Sequence, residues 1–313
     1  MALSIGQIAA VSYEAVLNES RTPQNQWVEN AALREFERQG MIKKESFGKT
    51  LEETLDYRRN PGGEFLATDL APTSSTKTEV LTAASYSPAE ISVPVVWSKR
   101  DEVQNPSQNQ KVSLVKSLLT NGIDTHDDLI EEAIFASSST NGFHSALVLI
   151  PVNGQGTVGG INAGDEAFWR NQTDSYQSDG SDIEAVFTEV WNSCAKGSGS
   201  ALSPKLMFSG SDTHALFEST QTPQQRYVDT QELQAGFKVL GFKTARYIFS
   251  QYGTDNVFFT NPKVFRIKVS KQYFRDKGEQ MELEDANGWK FHIYSSLQLM
   301  TGNKSRLGIA SQA

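Results

Sequence analysis

The chain has little of the residue types that most directly announce chemistry. It holds one cysteine, Cys194, and four histidines in 313 residues. A single thiol excludes an internal disulfide framework and a multi-cysteine zinc site, and it fits folding in a reducing compartment. His126, His144, His214 and His292 include no pair at zinc-binding spacing. Positive charge is also scarce: 29 Lys and Arg stand against 37 Asp and Glu, a formal balance of −8. That balance argues against a sequence-independent grip on nucleic acid, which needs clustered cations. No apolar run approaches the ~20 residues that span a bilayer. The first ten residues lack the basic flank and continuous apolar stretch of a secretory signal, so none is expected.

What is present suits a folded body. Hydrophobic residues make up 38% of the chain, and the mean hydropathy is −0.42. A chain of this size folds to roughly 13,000 Å² of surface from roughly 50,000 Å² extended, enough burial for a substantial core. Length suggests one large domain or two subdomains.

Helical and extended character alternate along the chain. Gln26–Gly40 places apolar Trp27, Val28, Leu33 and Phe36 on a helix, with Gly40 where a C-terminal cap belongs. From Gly48 to Trp97, Thr, Ser, Val and Pro rise. Ile91-Ser-Val-Pro-Val-Val-Trp97 reads as a strand, and Pro94 places it at a sheet edge or bend. Asn60-Pro-Gly-Gly63 signals a turn, and Ala71–Thr78 reads as a flexible tip. This segment has too few large apolar residues for a core of its own, and an isolated two-stranded ribbon is marginal in water. It must lie on something else, either this chain or a neighbouring copy.

Gln108–Ser137 carries the strongest helical pattern. Val112, Val115, Leu119, Ile123, Ile130 and Ile134 form one stripe, with His126 on it as a packed or interface residue. Lys111, Lys116, Asp127, Asp128, Glu131 and Glu132 lie opposite, which predicts a solvated face. Gly122 interrupts the middle. Ser145–Ile150 is expected to be a short buried strand. Ser181 and Glu184 form a capping box before a helix carrying Ile183, Val186, Phe187, Val190, Trp191 and Cys194. Strands are expected at 204–209, 247–250, 257–260, 264–270 and 290–300, with a short helix at 213–218, and 306–310 closing a sheet. The class is α+β, with one dominant helix and several separate sheets.

Chemical motifs are weak. Gly154, Gly156 and Gly159 match G-x-G-x-x-G, but no clean helix follows to hold a pyrophosphate, so a turn is the better reading than a nucleotide loop. Ser211, Asp212 and His214 are close in sequence, which is not triad geometry, and no nucleophile-elbow motif is present. Cys194 faces the apolar side of its helix and reads as a small buried hydrophobe. The carboxylates Asp127, Asp128, Glu131 and Glu132 have no metal-loop geometry around them. In an oligomer they are candidates to meet a neighbour's Arg58 and Arg59, which flank the Asn60 turn. No catalytic residue, cofactor or metal is assigned.

The order of elements resembles the tailed-phage major capsid protein family, with its Hong Kong 97-type fold. The stretches similar to it are Thr82–Ser98, Asp127–Ile134, Gly156–Ile161 with Phe168–Asn171, Pro204–Ser209 and Gly236–Val269. The resemblance covers nearly the whole chain and implies an N-terminal arm (1–45), an extended loop (46–100) reaching over an adjacent subunit, and a peripheral domain with the spine helix (101–180). It further implies an axial domain (181–285) and C-terminal strands returning to the peripheral domain (286–313). The implied role is structural, not enzymatic: self-assembly into pentamers and hexamers of an icosahedral head, in the virion after synthesis in the host cytoplasm. Such a shell encloses double-stranded DNA without sequence-specific binding, which an acidic chain permits. Scaffolding, portal and cement or decoration proteins are implied partners, any scaffold being a separate chain because the arm starts almost at once. Lys77 lies near the ribbon tip, but no partner for a Lys–Asn crosslink is identifiable, and that activity is not carried over. The alternatives are an encapsulin-like compartment shell, another virion part such as a tail-tube or decoration protein, and, from another class, a nucleotide-dependent oxidoreductase using the Gly154 loop.

Overall fold

In a computed structural model, the structure describes residues 31–65, 77–100, 108–197, 201–221 and 240–313. Expectations for Trp27 and Val28, for most of the ribbon tip, and for the side chains of Lys111, Val112 and Val115 lie outside what is described.

Helix α1 (Ala31–Arg38) ends as its sequence predicts. Gly40 adopts a left-handed φ of +68°, Gly40 N–H donates to Glu37 O, and Met41 N–H donates to Phe36 O. This paired closure satisfies the last carbonyls and seats Met41 and Phe36 together in the core.

Two sheets form the body. The first runs β1 (Ile42–Glu45), β12 (Phe265–Lys277), β14 (Gly288–Thr301), with β4 (Ala89–Ser98) and β13 (Met281–Glu282) also paired to β14. β4 pairs antiparallel to β14 over its full length and has no second partner among the described residues. Pro94 therefore does sit on an edge strand, where a missing N–H is tolerated. The inward residues Val93, Val95 and Trp97 face Leu119 and Ile123 of α2 (Gln108–Phe135).

Helix α2 is one unbroken element of 28 residues, about 42 Å long. Gly122 is a contact point and not a weakness: a Cβ there would sit 2.8 Å from Val95 Cγ2 and 3.2 Å from Ile293 Cδ1. Glycine brings the helix backbone down onto β4 and β14.

The second sheet has six strands in the order β7 (Gln172–Tyr176), β15 (Gly308–Gln312), β11 (Val257–Thr260), β8 (Leu206–Ser209), β10 (Ala245–Phe249), β9 (Leu240–Phe242). Its central strands are buried on both faces. Met207, Tyr247, Val257 and Phe259 pack beneath α4 (Ile183–Ala195) and Phe217 of α5 (Ser211–Thr220). Leu206, Phe208, Ile248 and Phe258 pack on the other side with Phe36, Ile134 and Phe135.

Several expectations are corrected. Ser145–Ile150 is not a strand: α3 (Ala146–Leu149) is a helical turn whose N-cap Ser145 accepts a hydrogen bond from Val148 N–H. A five-residue apolar run, Ala146 to Ile150, does not distinguish strand from buried helix, and Ser145 caps the helical turn. The Ser181 capping box is absent; Asp182 is the N-cap residue of α4, and its carboxylate accepts from Gln177 N–H instead. β15 does not close a sheet but lies inside one, between β7 and β11. β12 belongs to the first sheet and β15 to the second.

Candidate assembly surface

The ribbon consists of β2 (Leu51–Asp56) and β3 (Leu81–Tyr86), paired antiparallel with each other and joined by strand pairing to no other sheet among the described residues. It lacks a core of its own, as composition predicts, and its root borrows one. Leu51, Leu55, Ala84 and Tyr86 are buried in the body. Three contacts hold the root. Glu53 forms ion pairs with Arg266 and Lys268 on β12, and Lys268 also meets Glu45 at 2.9 Å. Tyr86 Oη donates to Thr301 O at 2.9 Å, and burial pushes its phenol well above the ordinary tyrosine range. The third contact is the glycine segment. β5 (Thr157–Val158) and β6 (Ile161–Asn162) form a small hairpin turned by Gly159 and Gly160, both at positive φ. Gly159 O accepts from Ser85 N–H, and a Cβ on Gly159 would lie 2.7 Å from Ala84 Cβ. The G-x-G-x-x-G pattern thus serves a tight turn pressed against the ribbon.

Beyond the root the ribbon leaves the body. Tyr57 Oη and Arg58 Nε both donate to Glu79 O, tying its two sides together. Phe65 is fully exposed and Leu81 is 62% exposed.

The candidate charges separate into two groups. Arg58, Arg59 and Glu132 are exposed and Asp128 is half-buried. Asp127 and Glu131 do not lie on a solvated face; they are 2% and 0% exposed. The second half of α2 runs between the two sheets and α1, so its polar side is enclosed as well. Asp127 pairs with Arg275 at 2.7 Å. A chain of hydrogen bonds continues from Arg275 N–H to Ser295 Oγ, from Ser295 O–H to His126 Nε2, and from His126 Nδ1–H to Asp127. His126 is therefore a packed histidine. Glu131 accepts from Ser250 O–H at 2.5 Å and from Leu33 N–H at 3.1 Å, capping the first turn of α1 from another element. Burial raises its pKa, against the pull of those hydrogen bonds. Asp128 accepts from Tyr252 Oη at 2.8 Å.

The remaining motif residues are structural in their placement. Ser211 and Asp212 are exposed while His214 is buried against Tyr247 and Phe249 at 4.8 and 5.0 Å. Cys194 is buried, with its thiol pushed up to about 12 by desolvation. His292 lies half-exposed on β14, its Nδ1 2.9 Å from Ser92 Oγ. Sequence reading missed Glu53, Arg266, Lys268 and Phe65. Ion-pair partners more than 200 positions apart leave no local pattern, although a phenylalanine following the Pro-Gly-Gly turn was visible.

The body of two sheets, the 28-residue helix between them and the projecting ribbon together define the class: this is the α+β fold of tailed-phage capsid proteins. The chain is similar to one from the cyanophage A-1(L) capsid asymmetric unit, with a TM-score of 0.64, 12% identity, and coverage of 94% of this chain and 95% of that one. It is equally similar to a chain from the capsid of the native GTA particle: TM-score 0.64, 12% identity, 97% and 98% covered. A virus-like particle from Pyrococcus furiosus follows with a TM-score of 0.50, 9% identity, and 99% and 100% covered. No protein-family model matches the chain, and no curated protein matches it in sequence.

Proposed function

We propose that this chain is a major capsid protein, a structural subunit that assembles with copies of itself into the pentamers and hexamers of an icosahedral head around double-stranded DNA. The observation that carries the reading is the ribbon: a two-stranded projection with a fully exposed Phe65, on a capsid-type fold that extends over 94% or more of the chain. Its role is association, not turnover, and its place is the virion. Within the expected arm (1–45) and loop (46–100), the outer ribbon is the part that reaches a neighbour, while α1, β1, the ribbon root and β4 join the expected peripheral (101–180, 286–313) and axial (181–285) portions in the body. Arg58 and Arg59 of one copy meet Asp128 and Glu132 of another. Obligate contacts of this kind bury on the order of 2,000–5,000 Å². Separate scaffolding, portal and cement or decoration proteins complete the particle.

A second reading, a compartment shell that loads cargo enzymes, draws on the likeness to the Pyrococcus furiosus virus-like particle. Electron microscopy of the chain, expressed alone and beside its neighbouring genes, separates the outcomes. Closed shells filled with DNA are expected. Shells co-purifying with an enzyme support the second reading; a stable monomer at high concentration, or a helical tube, refutes the first.

A further inference from the structure

A groove of about 560 Å³ lies at the ribbon root, between the end of β2, the start of β7 and the C-terminus of α4. Arg170, Lys196 and Arg306 line it, with a single carboxylate, Asp56, beside them. The two guanidinium groups are fixed by carbonyls. Arg170 donates to Ala163 O and Gly164 O, both at 2.8 Å, and Arg306 donates to Ala195 O at 2.5 Å and Cys194 O at 3.2 Å. Lys196 Nζ donates to Ser305 Oγ at 2.8 Å. None of the three makes an ion pair with a carboxylate among the described residues. Burial and the charge of Arg306 lower the pKa of Lys196. Tyr57 and Phe168, with ring centroids 5.0 Å apart, form an apolar wall. Concentrated, positionally fixed positive charge on a chain of net −8 fits an acidic partner that carries an apolar side chain.

The same chain holds a segment of that chemistry. Residues 279–287, around β13, present Glu279, Glu282, Glu284 and Asp285 in water, with Met281 46% exposed among them. Among the described residues, Glu282 alone of these carboxylates is in an ion pair, with Lys99. The acidic turn enters β14 at Gly288, whereas the groove is lined by Gly302 just past Thr301, the other end of that strand. Fourteen extended residues hold the two apart by roughly 45 Å, so they cannot meet within one copy.

We propose that this groove receives the acidic turn 279–287 of a neighbouring copy, a head-to-tail contact joining opposite ends of β14. Contacts between two different patches of one surface generate rings when the rotation closes. The inference rests on the assembly reading and adds the residues of one of its contacts.

The test uses a fluorescein-labelled peptide of residues 278–288 and the unassembled full chain, read by anisotropy. Saturable binding is expected, weakened at least tenfold by Lys196→Glu, by Lys replacing Glu284 and Asp285 in the peptide, and by about 0.5 M salt. Lys205→Glu, on exposed surface elsewhere, is expected to leave it unchanged. In the chain, Lys196→Glu lowers shell yield and added Glu284→Lys restores part of it, with thermal melts showing both variants folded. Absence of peptide binding, or binding indifferent to Lys196→Glu, overturns the proposal. A duplex of 20 base pairs that binds through Lys196 while the peptide does not also overturns it, assigning the groove to phosphate. Wild-type shells whose yield Lys196→Glu leaves intact remove the groove and keep the assembly reading. Peptide binding without any wild-type shell keeps the groove and removes the assembly reading.

Discussion

Glu131 shows how one side chain ties two distant segments together. Its carboxylate is enclosed by α1, α2 and the end of β10, and among the described residues its hydrogen-bond partners are Ser250 and the first backbone N–H groups of α1, none of them a cation. Asp128 on its own helix adds repulsion. Glu35, on the facing side of α1, is paired with Arg246 at 3.0 Å. Because burial raises the pKa of Glu131 above the ordinary carboxylate value, the folded chain holds this proton to a higher pH than the unfolded chain does. The group's favourable contribution is complete below the unfolded value of about 4.3 and is lost as pH rises through the raised folded value. Lowering pH from 7 toward the unfolded value of about 4.3 is therefore expected to raise the urea midpoint of the wild type relative to Glu131→Gln, which cannot titrate. Parallel pH profiles for the two proteins would refute the assignment.

The ribbon is an element whose root and outer part follow different rules. Its root is part of the body: Leu51, Leu55, Ala84 and Tyr86 join the main core, and Glu53, Tyr86 Oη and the Gly159 turn fix its direction. Among the described residues, the portion beyond Tyr57 and Val80 hydrogen-bonds mainly to itself, and Phe65 is fully exposed. Replacing residues 60–77 with two glycines is thus expected to change the stability of the unassembled subunit by less than about 1 kcal/mol, while abolishing stable shells in micrographs. Normal particles from this variant would remove the bridging role; a collapse of subunit stability would show that the outer ribbon belongs to the body. A deletion reaching Ser87 is a poorer test, because it takes Ala84 and Tyr86 out of the core.

For the molecule as a whole, charge sets the conditions of assembly. Copies at −8 repel one another over distances that salt shortens to about 10 Å at 0.1 M. Shell yield followed by light scattering is expected to rise as salt increases from about 0.01 to about 0.15 M, since long-range repulsion between whole subunits is screened before close ion pairs are lost. A yield that is flat or falls across that range would count against a repulsion-limited assembly.

Much of this architecture is local and could be read from the sequence. The Gly40 cap, the stripe on α2, the edge position of Pro94 and a ribbon too polar to stand alone all follow from spacing within a few residues, because turns and single faces obey local geometry. The tertiary structure alone decided which strands share a sheet, that Gly122 is a close approach and not a break, and that Asp127 and Glu131 face inward. It also decided that Arg170, Lys196 and Arg306 converge on one groove. Their physical reason is common to all of them: strand pairing and side-chain enclosure join positions beyond the reach of any helical or strand period, and no periodicity in the chain encodes which distant surface will close over a given face.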